Sequence, residues 1–199
     1  MASLTGGNNP RNAAHVDDNG RLQTKAVGMS EQTSEAVSGN TYNINTGNLT
    51  FTNDSESAIF YLRNDSEINP IVVTRIFLTF LSSTAGSGAV NAKIYKEVAG
   101  GDILTATAFN PGNFNHGSRS KLPGVVLNKG STASTFTATA LDSDPGFLFT
   151  SDNQRQLIPF EAIVLPRGAE MLLTWTPPAS NTSIVLQAGA NFYVSPSED

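Results

Sequence analysis

Apolar and polar residues alternate with period two over many short stretches from Leu49 to the end of the chain, whereas residues 1–48 are polar, dotted with glycine and asparagine and almost free of aromatics. Leu49-Thr50-Phe51-Thr52 alternates strictly, and Ala58 to Leu62 less so. Asn53-Asp54-Ser55 between them is turn chemistry, so the pair is predicted to form a hairpin. Asn64 to Pro70 is the next break, because proline lacks an N–H and suits the start of a strand. Ile71 to Leu81 then puts Ile71, Val73, Arg75, Phe77, Thr79 and Leu81 on one predicted face and Val72, Thr74, Ile76, Leu78 and Phe80 on the other. Both faces are apolar, which fits a central strand or one covered on its outside by a neighbouring subunit. Ile71, Val73, Phe77 and Phe80 are the candidates for that subunit interface.

Further strands are predicted at Val90 to Val98, Ile103 to Phe109, Val125 to Leu127, Thr135 to Ala140, Gly146 to Thr150, Ile158 to Leu165, Glu170 to Thr176 and Ile184 to Val194. Ser82 to Gly88, Ala99 to Asp102 and Pro166-Arg167-Gly168 read as turns, and Asn110 to Lys121 as the longest irregular surface loop. About eight or nine strands spaced roughly ten residues apart is the signature of a sandwich. No stretch beyond two turns carries a helical period, and Gly28 to Val37 is predicted to form one helical turn at most. A body of this length favours a jelly roll over an immunoglobulin sandwich of about 100 residues. The predicted fold is therefore all-β: a jelly-roll-like sandwich of about eight strands over residues 49–199, preceded by an extended N-terminal arm over residues 1–48.

The arm has its own logic. Residues 1–40 contain no Phe, Trp, Tyr or Ile. Such a stretch buries too little apolar surface to offset the entropy of ordering itself, so a partner surface is the expected source of order. Pro10, Val16 and Leu22 are candidates to seat in shallow pockets of that partner, and Arg11, Arg21 and Lys25 to pair with its acidic groups.

Charge and composition narrow the partners. Asp and Glu number 17 against 12 Lys and Arg, for a formal charge of −5 in 199 residues. A nucleic-acid footprint needs a basic face, so nucleic acid is not expected. The chain has no cysteine, which excludes disulfides, thiolate metal sites and a cysteine nucleophile. The start, Met-Ala-Ser-Leu-Thr-Gly-Gly, lacks the basic and apolar regions of a secretory signal. Ile68 to Leu81 is too short and too polar to span a bilayer, so synthesis in a cytoplasm without membrane association is expected. Asn48, Asn53, Asn64 and Asn181 head glycosylation sequons, which chance explains in a chain rich in Asn, Ser and Thr.

Candidate chemistry is sparse. The two histidines, His15 and His116, lack ligand-spaced partners in sequence. Asp142, Asp144 and Asp152 superficially resemble a calcium cage, but Asp-Ser-Asp-Pro-Gly is a turn sequence. Glu161 and Glu170 flank a turn and read as solvent-face carboxylates rather than a glycosidase pair. No phosphate-cradling glycine loop or nucleophile elbow is present. No enzymatic activity, metal or cofactor is expected. The alternative is a carbohydrate- or receptor-binding module at a tail or fibre tip, with Trp175, Tyr61, Tyr95 and the Phe114 loop as stacking platforms.

Val16-Asp-Asp-Asn-Gly-Arg-Leu-Gln-Thr-Lys-Ala26, Gly39-Asn-Thr-Tyr-Asn-Ile-Asn-Thr-Gly47 and Ser57-Ala-Ile-Phe-Tyr-Leu-Arg-Asn64, with Leu165-Pro-Arg-Gly168 and the strand into Trp175, resemble small virion proteins of tailed bacteriophages. Many of these are jelly-roll capsid decoration, or cement, proteins, often trimeric. The resemblance covers most of the chain. It implies a structural protein on the outer capsid surface of a virion, with the arm on the major capsid protein, the body above it, and a homotrimer as the working unit.

Overall fold

The computed structural model describes residues 4–5, 13–16, 22–23, 31–52, 55–66, 69–83, 88–117, 124–132, 134–143, 147–149, 155–158, 162–177 and 183–195. The chain divides into two compact units, Met1–Glu31 and Gln32–Asp199. In the first unit, β1 (Leu4–Thr5), β2 (Ala13–Val16) and β3 (Leu22–Gln23) form a small antiparallel sheet. Thr5 stands opposite Ala13 and Val16 opposite Leu22, so the described strands of the arm pair with one another.

Helix α1 (Glu31–Ser38) runs for about two turns, where one at most was expected. Its end explains its persistence. Gly39 adopts a φ of 81°, its N–H bonds the Ala36 carbonyl and the Asn40 N–H bonds the Glu35 carbonyl, which is the Schellman closure. The strands that follow are β4 (Thr41–Phe51), β5 (Ser57–Asn64), β6 (Ile71–Ser83) and β7 (Gly88–Gly100). After a short 3-10 helix at Asp102–Thr105 come β8 (Gly112–Asn113), β9 (Val125–Lys129), β10 (Thr137–Ser143) and β11 (Phe147–Phe149). The last are β12 (Arg155–Ile158), β13 (Ile163–Leu165), β14 (Glu170–Thr176) and β15 (Ile184–Val194).

Two antiparallel sheets result. One runs β12-β6-β15-β4-β8, with β13 also on β6; the other runs β10-β7-β14-β5-β9, with β11 also on β7. Because β12 and β13 line the same edge of β6, and β10 and β11 the same edge of β7, each pair is one interrupted edge strand. The pairing is nested: β4 with β15, β5 with β14, β6 with β12 and β13, β7 with β10 and β11. The first half of the sandwich thus pairs with the second half like one long hairpin, and successive pairs go to alternate sheets. That is the jelly roll, and it matches the fold expected from the sequence.

The two sheets enclose one main core. Trp175 is wholly buried, with Phe51 edge-on at 5.1 Å and Phe80 tilted at 5.6 Å; Tyr42 stacks on Phe192 at 5.5 Å. All described members of the core lie between Tyr42 and Val194. A second, smaller cluster (Ala58, Tyr61, Val98, Ile103 and Leu172) sits on the outside of the β7-β14-β5 sheet. The connection from β7 to β10 covers it, and the Asn128 side chain ties that connection down by donating to the Ile103 and Leu104 carbonyls at 3.1 and 3.0 Å. The strand expected at Ile103 to Phe109 is replaced by the 3-10 helix and a single bridge from Ala108 to Asn128.

Three register shifts decide which residues face inward. β4 opens at Thr41, so the boundary expected between residues 48 and 49 falls inside a strand. Tyr42 and Ile44 face the core at even positions, and Leu49 and Phe51 at odd ones. A bulge between them, where Gly47 takes a φ of 67°, switches the parity. There the Thr46 hydroxyl stands in for the ladder: it accepts from the Ala188 N–H at 3.0 Å and donates to the Ala188 carbonyl at 3.2 Å. On β6, irregularities at Thr74 and Leu81 leave Ile71, Val73, Ile76, Leu78 and Phe80 all in the core. Ile71, Val73 and Phe80, three of the four subunit-interface candidates, are therefore enclosed within their own sandwich.

Phe77, the fourth, faces outward between two core residues and covers Gly189, its partner in register. A Cβ on Gly189 would meet Phe77 Cζ at 2.2 Å and the Ile44 carbonyl oxygen at 2.5 Å. Gly189→Ala should destabilise the protein by about 1–3 kcal/mol in urea denaturation. Phe77→Ala in the same background should restore only part of the loss, since the Ile44 backbone cannot withdraw as a ring can.

Candidate functional site

Two surfaces of the second unit combine concavity with polar groups. The first lies beside α1. Phe114 is 44% exposed, an unusual position for a phenylalanine, and it is held there by its neighbours. The Asn113 side chain donates to the Gly39 carbonyl at 2.7 Å, the Asn115 side chain to the Val37 carbonyl at 3.1 Å, and the Phe114 N–H to the Thr41 carbonyl at 3.0 Å. Asn113 and Asn115 also accept from the N–H groups of Asn115 and Gly117, closing two successive side-chain turns. The ring thus stands on a short loop fixed to the joint between α1 and β4. With Thr33, Ala36, Thr41 and Asn191 it lines an open hollow of about 300 Å3.

One row of the β6-β15-β4-β8 surface runs up to this hollow. Arg75, Asn191, Asn43 and Gly112 are successive partners in register on four strands. Asn191 and Asn43 lie between core residues on their own strands, so their side chains point outward. The Asn43 amide nitrogen donates to the Asn191 Oδ1 at 3.0 Å, which leaves the Asn191 amide N–H groups and the Asn43 Oδ1 to face solvent. Arg75 is exposed and has no acidic partner among the described residues.

The second surface is a crevice of about 330 Å3 where β7 and β14 part, lined in part by Lys96, Glu97, Val164 and Glu170. Its apolar floor includes Ile94 and Met171. Glu170, still paired with Arg63 of β5, lies beyond the end of the β7–β14 pairing: its carboxylate accepts from the Val98 N–H at 2.5 Å and from the Tyr61 hydroxyl. Burial, reinforced by that carboxylate, holds the Tyr61 phenol well above the usual tyrosine range. Glu97 sits at a φ of 57°, rare for a residue with a side chain, and accepts from the Thr139 hydroxyl at 2.6 Å. Both carboxylates thus already have hydrogen-bond partners within the protein.

The structure sorts the candidates from sequence as follows. Trp175 and Tyr61 are buried and present no ring to a ligand. Tyr95 is half-buried, tilted on Phe136 at 5.5 Å, and only the Phe114 loop offers an exposed ring among the four platforms considered. His116 lies in the turn after Asn115, and His15 in β2 opposite Gln23. Asp142 lies in β10; Asp144, Asp152 and Glu161 lie outside the described residues. No group of three or more metal-ligating side chains occurs among the described residues. Of the arm candidates, Val16 and Leu22 are opposite each other in register, while Pro10, Arg11, Arg21 and Lys25 lie outside the described residues. The row Arg75-Asn191-Asn43 was missed. Its members are over a hundred residues apart at the extremes, and only the register of three strands brings them together. No family description, curated protein or solved structure matches this chain.

The Tyr61–Glu170 contact gives a pH dependence. An unfolded tyrosine loses its proton near pH 10.0, whereas folded Tyr61 keeps it, so above that pH the unfolded state binds fewer protons. Stability is fully present below pH 10.0 and falls as pH rises beyond it. Tyr61→Phe should cost about 1–3 kcal/mol at neutral pH by stripping a partner from a carboxylate. It should also reduce the alkaline slope, leaving only the smaller part due to Tyr42 and Tyr95, whose phenols are raised chiefly by burial. Urea titrations across the alkaline range measure both.

Proposed function

We propose that this chain is a non-enzymatic virion structural protein, a capsid decoration or cement protein that binds the major capsid shell through its N-terminal unit. The observation that carries the reading is the division of the chain. The sandwich draws its described core wholly from residues 42–194, and residues 1–31 form a separate small unit. A sandwich whose described core takes no residue from 1–31 supports giving that unit a surface of its own to bind. The sequence of that unit is poor in apolar residues and carries Arg11, Arg21 and Lys25. Exposed ion pairs contribute only about 0–1 kcal/mol each, so attachment would draw on several chains bound as one oligomer.

Self-association is part of the proposal. Leu157 and Val164, each 56% exposed, lie on the interrupted edge strand, and their partners in register on β6 are Phe77 and Val72. Leu157 and Val164 put exposed apolar surface on that sheet edge, beside the half-buried Val72 and the buried Phe77, and a second copy would gain by packing on it.

Deleting residues 1–25 tests the attachment. The truncated chain should keep its β-sheet circular dichroism and its oligomeric mass, and should fail to bind capsids that lack the protein. Saturating binding by the truncated chain would place the contacts on the sandwich and overturn the role given to the arm. A second substitution, Leu157→Glu, should lower the oligomeric mass in analytical ultracentrifugation without unfolding the sandwich, because the side chain is exposed.

A further inference from the structure

We infer that the ledge formed by Phe114, Asn191, Asn43 and Arg75 is a binding site for a saccharide that carries a carboxylate, such as a uronic acid residue. The proposal stands apart from the virion reading, since it uses only residues of the second unit. Three features of the ledge converge on this ligand chemistry.

The first is the ring. An exposed phenylalanine costs solubility, and this one is held in place by Asn113 and Asn115 on either side of it. A fixed, solvent-facing aromatic face is complementary to the C–H face of a pyranose, which is apolar and flat, and holding it rigid lowers the entropy lost on binding. The second is the amide pair. With their mutual bond made, Asn191 presents N–H donors and Asn43 presents a carbonyl acceptor side by side on the surface. Vicinal hydroxyls, each both donor and acceptor, match such a pair. The third is Arg75, next to Asn191 in register and without an acidic partner among the described residues. Its planar guanidinium takes a carboxylate through two parallel hydrogen bonds.

Order along the row fixes how the ligand would lie. The hollow beside Phe114 would hold the ring, the amide pair its hydroxyls, and Arg75 the carboxylate at the far end. The hollow, about 300 Å3, falls at the lower end of the range of small-molecule sites and has room for one sugar unit. A bare anion fits less well, since it would need only Arg75 and would leave the fixed ring unused.

Saturation-transfer difference NMR on the full chain, with D-glucuronate and D-glucose as probes, tests the site. Glucuronate should show saturable transfer centred on its ring protons, with glucose at least tenfold weaker. Phe114→Ala should abolish transfer to both sugars, and Phe114→Tyr should retain it. Arg75→Gln should bring glucuronate down to the level of glucose while leaving glucose unchanged. Both positions are at the surface, and an unchanged thermal midpoint identifies folded variants. Absence of transfer to either sugar at tens of millimolar would overturn the proposal. So would glucuronate binding that Phe114→Ala leaves intact, or acetate competing as strongly as glucuronate, because either would reduce the site to an anion contact at Arg75.

Discussion

The rest of the structure is set against the unbroken alternation of β15. Ile184, Leu186, Ala188, Ala190 and Phe192 all enter the core, and no irregularity within the strand disturbs their period. Both neighbours in the sheet, β4 and β6, have extra residues and take them up as bulges so that their own apolar side chains meet that line. A strand whose side-chain period is two cannot slip by one residue without turning its whole apolar set to solvent. Once β15 is fixed, the parity of β4 on either side of Gly47 and of β6 on either side of Thr74 follows.

The same register builds the outer surface. Gly189 is the one position on β15 where no side chain projects outward, and Phe77 fills the space. Two places further on, Asn191 brings Arg75 and Asn43 into one row, and β8 extends that row toward the Phe114 ledge. Core and ledge are therefore two faces of one arrangement. The residues between the bulges are committed on both sides, inward by packing and outward by the partners they are given.

The opposite sheet is organised differently. Its outer face is covered by the long connection between β7 and β10, with Tyr61 and Leu172 beneath it. What polar chemistry survives there is internal: the Glu170 carboxylate caps the parting of β7 and β14 by accepting from Tyr61 and Val98. A buried polar contact of that kind is satisfied within the protein and holds the crevice open rather than offering it to a partner. The two faces of the sandwich thus differ in kind, one covered by a long connection of the chain and one carrying a row of amides and an arginine.

By itself the sequence determined the fold class. Short period-two runs, turn residues between them and the lack of any long helical period leave few alternatives to a sandwich, and the length of the body selects the jelly roll. It also excluded cysteine chemistry, since the chain has none, and it supplies only two histidines. Tertiary structure alone decided the parity of residues. Alternation is legible within a strand only until a bulge, and Gly47, Thr74 and Leu81 give no unambiguous mark of one. The sequence therefore offers Ile71, Val73 and Phe80 as a subunit interface, and Tyr42 and Ile44 fall in the arm because that boundary rests on the polar composition of residues 1–48. Cross-strand neighbours lay equally out of reach: Arg75 and Asn191 meet through hydrogen bonds between distant strands, and nothing local in either segment encodes which row of its partner it will face.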